Sequence, residues 1–117
     1  MTLIEIIDRL ELTLLNPRVA LDEAKETASA HASDLLSDVL ANAPSGGLLL
    51  TIQVHMNVVA VALHANLSGV IFTSGMSPEE AVLAKATAEG LPLLGTAEST
   101  FDVAGRLYAL GLRGRHG

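Results

Sequence analysis

The sequence has 117 residues, the length of one ordinary domain, and a formal net charge of −6 at pH 7. Its seven Lys and Arg residues are scattered along the chain, which argues against a nucleic-acid partner. It has no cysteine, and therefore neither a disulfide framework nor a thiolate metal site. Half of the residues are apolar and only 3% are aromatic, so the core must consist mainly of Leu, Val, Ile and Ala.

The sequence contains no pattern typical of secretion or membrane insertion. Residues 1–9 carry acids where a signal peptide carries bases. The most apolar stretch, residues 48–72, is interrupted by five amides and histidines, so it does not predict a membrane span. We therefore expect a cytoplasmic protein with no membrane partner.

The first half of the chain predicts one clear helix and several weaker elements. Residues 2–5 have the pattern of a capping box ahead of an apolar stripe, which predicts a short opening helix. Residues 12–15 and 27–32 indicate brief strands, the second one weakly. Ser33 and Asp34 are expected to cap the next helix. The pattern of residues 16–27 predicts neither a helix nor a strand.

The second half predicts three strand–helix units in succession. Apolar strands end at Thr51, Thr73 and Thr96, which are 22 and 23 residues apart. Alternation at this spacing favours an α/β fold with a mainly parallel sheet and helices on both faces. We expect residues 1–117 to form one such domain.

Each of these strands leads into a predicted helix. Residues 57–66 have helical length and are apolar on nearly every side. Ser77, followed by Pro78 and two glutamates, predicts the start of the second helix, which Gly90 should end. Ser99, three residues before an aspartate, predicts the start of the last helix.

The loops after the three strands should emerge at one edge of the sheet, which is the usual ligand site of an open parallel sheet. Their polar groups are uncharged apart from one histidine, which suits a small polar or weakly anionic ligand. The alternative is that the hydroxyl groups only cap their helices. The candidate ligand-binding residues are Thr51, Gln53, His55, Asn57, Thr73, Ser74, Gly75, Thr96 and Ser99.

No pattern in the sequence indicates a metal, a cofactor or a catalytic group. A phosphate loop is absent, so this chain cannot be a kinase of that kind, and the nucleophile elbow of α/β hydrolases is absent as well. A small hydrolase or transferase that uses His55 remains an alternative. It would need the carboxylate of Asp34 or Asp38 within hydrogen-bond reach of His55.

Two surfaces are candidates for contacts with a partner. The repeated Ser-Asp pair formed by Ser33, Asp34, Ser37 and Asp38 should lie on one helical face. It could contact a ligand or a partner, or serve only as a helix cap and solvated surface. The helix around residues 58–63 is apolar on both sides, and with a mean hydropathy of +0.45 this favours a homodimer.

Residues 69–80, 89–96 and 99–107 follow one another in an order and at a spacing that resemble the DRTGG domain family, and the match covers roughly residues 28–111. Residues 33–43 and 53–57 look like those of the stand-alone members of that family. The resemblance implies an α/β module that accompanies catalytic or CBS domains. Such modules are similar to the accessory region of phosphate acetyltransferases and, more distantly, to the N-terminal region of HPr kinase/phosphorylase.

The sequence departs from the residues that name this family. Val54 and His55 stand where the family has Asp-Arg, and Thr73, Ser74 and Gly75 stand for Thr-Gly-Gly. The chain therefore lacks the charged anchor that relatives would offer to a ligand.

Taken together, these features predict a non-catalytic regulatory or sensory module. We expect a homodimer that binds a small metabolite or nucleotide, with a regulatory or metabolic protein as a further partner. The alternative is a structural or protein-interaction domain without a ligand.

Overall fold

The computed structural model describes residues 1–117, which form five helices and five strands in one sheet. The helices are α1 (Leu3–Leu10), α2 (Leu36–Asn42), α3 (Asn57–His64), α4 (Glu80–Ala88) and α5 (Thr100–Ala109). The strands are β1 (Thr13–Leu14), β2 (Ala30–Ala32), β3 (Leu48–Thr51), β4 (Gly69–Phe72) and β5 (Leu93–Gly95). None of the helices has the length and apolar character needed to cross a bilayer.

The sheet has the strand order β1-β5-β4-β3-β2. Strands β2 to β5 are parallel, and β1 adds to the edge of β5 in the antiparallel direction. Thr51 lies opposite Phe72, which in turn lies opposite Gly95, so β3, β4 and β5 end level with one another. The predicted α/β class with three strand–helix units is confirmed.

Buried apolar residues form two cores, one on each face of the sheet. Leu49, Val70, Phe72 and Leu93 pack with α2, α3 and α4, whereas residues of opposite parity, such as Ile71, pack with α1 and α5. Because both faces are covered, the strands need apolar residues at every position. This is why they show no alternation of polar and apolar residues.

Two of the predicted helix starts are present with their hydrogen bonds. In α1 the Thr2 hydroxyl accepts the amide of Glu5, and the Glu5 carboxylate accepts the amide of Thr2, which completes a capping box. The bond from the Thr2 amide is the main cause that lowers the pKa of Glu5. In α5 the Ser99 hydroxyl accepts the amide of Asp102.

Two other predicted helix starts are wrong. Helix α2 begins after Leu35 instead of being capped by Ser33 and Asp34, because the Asp34 carboxylate bonds to the end of β3. The Ser-Asp repeat therefore does not lie on one helical face. Helix α4 begins after Glu79, whose backbone is extended, rather than at Ser77, and no side chain caps it.

Residues 16–27, for which the sequence predicts no helix or strand, are joined to the sheet through the buried side chain of Asn16. Its amide nitrogen donates to the carbonyl of Leu91 and its amide oxygen accepts the N–H of Leu93, both at 2.9 Å. These bonds satisfy backbone groups at the start of β5 that no neighbouring strand reaches. The segment therefore closes one side of the sheet.

Candidate functional site

The loops that follow β3, β4 and β5 meet at the carboxyl edge of the sheet. The amide of Thr73 donates to the carbonyl of Thr51 at 3.1 Å, and the amide of Thr96 donates to the carbonyl of Phe72 at 3.1 Å. The amide of Gly75 in turn donates to the carbonyl of Thr96 at 2.9 Å. His55 and Ser74 thus follow neighbouring parallel strands at the same end of the molecule.

The end of β3 is tied to the loop between β2 and α2 by the Asp34 carboxylate. One of its oxygens accepts the Thr51 hydroxyl at 2.8 Å and the Ile52 amide at 2.9 Å. The Thr51 oxygen also accepts the amide of Gln53 at 3.1 Å. The buried Thr51 hydroxyl therefore both donates and accepts a hydrogen bond within the chain.

The loop of residues 53–57 is held by its own side chains. The Gln53 carbonyl oxygen accepts the His55 amide at 3.3 Å, and His55 Nδ1 accepts the Asn57 amide at 3.2 Å. Because Nδ1 is an acceptor, the neutral ring carries its proton on Nε2. The Gln53 amino group, His55 Nε2 and the Asn57 side chain have no partner within the chain.

The turn after β4 has a constrained backbone. Ser74 has a φ of 57° and Gly75 a φ of 72°, so both residues lie in the left-handed region that favours glycine. The Ser74 amide donates to the carbonyl of Glu98 at 2.7 Å, which fixes this turn against the next loop. The Ser74 hydroxyl is exposed and unbonded, whereas the buried Thr73 hydroxyl pairs with that of Thr100 at 2.5 Å.

The loop after β5 is held in a similar way. The Thr96 hydroxyl accepts the amide of Glu98 at 3.2 Å, and Ser99 caps α5. The Glu98 carboxylate forms an ion pair with the Arg106 guanidinium. The hydroxyl groups of Thr96 and Ser99 therefore both support the local backbone.

The predicted ligand-binding residues thus form two groups. The first group uses its hydroxyl groups within the protein and consists of Thr51, Thr73, Thr96 and Ser99. The second group consists of Gln53, His55, Asn57, Ser74 and Gly75. Its first four members have polar side-chain atoms without a partner in the chain, and Gly75 exposes its backbone. Ligand binding by either group stays a prediction.

The cavities of the protein are shallow. A depression of about 200 Å³ lies at the carboxyl edge against Gly75 and Thr96. The largest groove, about 580 Å³, lies elsewhere, between α4 and residues 15–18. We favour the carboxyl edge over the larger groove because two neighbouring loops at this edge carry polar side-chain atoms without a partner in the chain.

The carboxylates that a catalytic His55 would need are engaged elsewhere. Asp34 holds the end of β3, and Asp38 bonds to His31 Nε2 at 2.8 Å and to the Asn42 amide at 2.7 Å. The bond from Asn42, followed by those from His31 and Ser33, lowers the pKa of Asp38 to about 2. The structure therefore does not assemble an acid–histidine pair at His55, and no group of three His, Asp or Glu side chains is arranged around a metal position.

The sequence did not predict two side-chain bonds that shape this edge. Asp34 was expected to cap a helix or to contact a ligand or partner, whereas Asp34 and Thr100 each bond to a buried threonine at a strand end. The direction of β2 accounts for the position of Asp34. Because β2 runs parallel to β3, the residues that follow Ala32 reach the same edge of the sheet.

The sequence profile of the DRTGG domain matches residues 54–110, just under half of the chain. This segment is narrower than the resemblance over residues 28–111, and residues 33–43 lie outside it. No curated protein matches the sequence.

A structure with a similar fold is described as the CBS and DRTGG domains of the regulatory region of Clostridium perfringens pyrophosphatase, complexed with the activator diadenosine tetraphosphate. The TM-score is 0.68 over 91% of this chain, with 13% sequence identity, so the likeness concerns the fold. This chain spans 45% of the length of that one. Residues 54–110 of this chain therefore match the DRTGG domain, and the order of the chain's helices and strands is consistent with the fold of that domain.

Proposed function

We propose that this protein is a cytoplasmic, non-catalytic regulatory module that binds a small metabolite or nucleotide at the carboxyl edge of its sheet. The observation that carries the proposal is that two loops with free polar atoms follow neighbouring parallel strands, β3 and β4, at the same edge. Gln53, His55 and Asn57 in one loop and Ser74 in the next have donors and acceptors that no group of the chain uses. The regulatory region of similar fold, which is bound to a dinucleotide activator, supports a nucleotide as one class of ligand.

The charges at this edge favour recognition of a base or sugar over recognition of phosphate. The three loops contain no Lys or Arg, and Glu79 and Glu80 place negative charge at the start of α4. Ile52, Met56 and Met76 are exposed apolar side chains around the free polar atoms. Apolar contact with a planar ring, together with hydrogen bonds to its edge, is the recognition that such a surface offers.

Calorimetric titration and thermal unfolding with a ligand panel test this proposal. The panel contains adenosine, ATP, diadenosine tetraphosphate and acetyl phosphate. A ligand at 100 times its dissociation constant should stabilise the fold by about 2.7 kcal/mol. We expect the double variant Gln53→Ala/Ser74→Ala to lose this shift, and the exposed Glu23→Gln to retain it. Absence of any shift at millimolar ligand would contradict the proposal.

A second candidate is a protein-interaction domain without a small ligand. It is favoured by the internal use of the Thr51, Thr73 and Ser99 hydroxyl groups, which leaves fewer groups for a ligand. It predicts no response to the panel and a dimer or a complex in solution. A homodimer is compatible with either candidate, and we propose it for both.

A further inference from the structure

We propose that two copies of this chain pair through the outer face of α5, a proposal that rests on the homodimer named above. The protein has three aromatic residues. Phe72 is fully buried in the core, whereas Phe101 and Tyr108 on α5 are 86% and 61% exposed. Exposed aromatic side chains placed together are typical of protein interfaces.

The two aromatic residues lie on one face of the helix. Phe101, Gly105 and Tyr108 are spaced by four and three residues, so they form a single stripe. The opposite face carries Val103 and Leu107, which are buried against the sheet. Helix α5 is therefore fully packed on its inner side and has a separate apolar face toward solvent.

Gly105 occupies the middle of this outer stripe without an internal reason for being glycine. A Cβ atom added there would meet no heavy atom within 4 Å. Glycine in an exposed helix interior costs about 1 kcal/mol relative to alanine. Close approach of a second helix at this position offers a reason for the missing side chain.

An apolar groove runs beside this stripe, between α5 and the edge strand β2. It has a volume of about 130 Å³, with Ala104 and Tyr108 as its wall and Ala30, Ala32 and Leu50 at the sheet. The guanidinium of Arg113, which also lines this groove, lies 3.7 Å from the centre of the Tyr108 ring.

These features complement one another when α5 packs antiparallel against α5 of a second copy, with the twofold axis near Gly105. At 1.5 Å per residue, Phe101 lies about 6 Å from Gly105 along the axis and Tyr108 about 4.5 Å in the opposite direction. Phe101 of each copy therefore reaches Tyr108 and the groove of the other.

Charge favours a second copy as the occupant of this face. Asp102, whose carboxylate has no partner in the chain, and Arg106, which pairs with Glu98 and bonds to the carbonyl of Arg9, lie on the same flank of the stripe, four residues apart. In an antiparallel pair the same flanks of the two helices meet, so the free Asp102 carboxylate of each copy lies beside the Arg106 guanidinium of the other and shares it with Glu98. The face thus carries a protruding ring, a groove and both signs of charge, which makes it complementary to itself.

Cross-linking of single-cysteine variants tests this arrangement, because the chain has no cysteine of its own. We expect Ala109→Cys, at an exposed flank of the α5 stripe, to be linked into a dimer by a bis-maleimide, since the two copies of this position lie about 12 Å apart along the helix axis. The control Ala60→Cys lies at an exposed position of α3, the helix that sequence analysis favoured for dimerisation. Linkage of Ala60→Cys but not of Ala109→Cys would overturn the α5 interface and keep the homodimer.

Sedimentation equilibrium gives an independent measurement. Phe101→Asp should raise the dissociation constant of the dimer at least about 30-fold, the effect of losing an interface hot spot, whereas Leu63→Asp on α3 should leave it unchanged. The reverse order of effects would reject α5 as the interface. A wild-type monomer at all concentrations would reject the homodimer itself, while ligand binding at the carboxyl edge would still be measured separately.

Discussion

The Asp38 carboxylate joins side chains from two different elements. It accepts a hydrogen bond from Asn42 on its own helix α2 and contacts His31 on β2, and Arg115 near the end of the chain bonds to Asn42. These hydrogen bonds favour the ionised carboxylate, which is why its pKa falls to about 2. Residue types alone do not reveal such a network, since its members lie up to 84 positions apart.

The lowered pKa of Asp38 predicts a specific acid sensitivity. Because its folded-state pKa lies below the ordinary value of 3.8, ionised Asp38 stabilises the fold above about pH 3.8. This contribution is lost as the pH falls toward 2. We expect Asp38→Asn to have a melting temperature that depends less on pH between 5 and 2 than that of the wild type. The exposed Asp8→Asn is the control, and an unchanged pH dependence in Asp38→Asn would contradict this assignment.

At the scale of elements, the same residue type begins one helix and not another. Ser99 accepts a backbone hydrogen bond at the start of α5, whereas Ser77 lies three residues ahead of α4 and makes no such bond. Both serines have an acidic residue three positions later, so the local pattern does not distinguish them. In the second case the backbone at Glu79 is still extended, so α4 begins only at Glu80. The residue before a proline is also disfavoured in a helical conformation, which works against a start at Ser77.

The two serines form a matched pair for mutagenesis. Ser99→Ala should lower the free energy of unfolding by about 1 kcal/mol, the usual contribution of a helix cap. Ser77→Ala should change it by less than about 0.5 kcal/mol, as surface substitutions generally do. Urea denaturation followed by circular dichroism measures both values. Equal losses in the two variants would show that Ser77 also caps a helix.

At the scale of the whole molecule, stability depends on two apolar cores separated by a sheet of short strands. Phe72 lies in β4, the central strand, and is the largest side chain without solvent exposure. With so few aromatic residues, no neighbouring ring can fill the space that its removal would leave.

Truncation of Phe72 tests the importance of this central position. Phe72→Ala should lower the free energy of unfolding by about 3–5 kcal/mol, because a buried ring is replaced by a cavity. Leu40→Ala, on the exposed side of α2, should cost far less. Circular dichroism is the suitable signal, since the chain has no tryptophan. A loss below about 1 kcal/mol in Phe72→Ala would mean that the core collapses around the missing ring.

The candidate site was partly predictable for a simple geometric reason. The strands that end near Thr51 and Thr73 run parallel to each other. The residues that follow them, Gln53, His55 and Ser74, therefore lie at the same edge of the sheet. Which hydroxyl groups stay free was not predictable, because it depends on partners such as Asp34 and Thr100 that come from other elements.

The sequence by itself determined the class of fold, the parallel direction of β3, β4 and β5 and the starts of α1 and α5, because these depend on apolar periodicity and on contacts within a few residues. Only the tertiary structure decided where α2 and α4 begin, how Asn16 satisfies β5 and which face of α5 remains uncovered. These features depend on contacts between residues far apart in the chain, and no local pattern encodes such contacts.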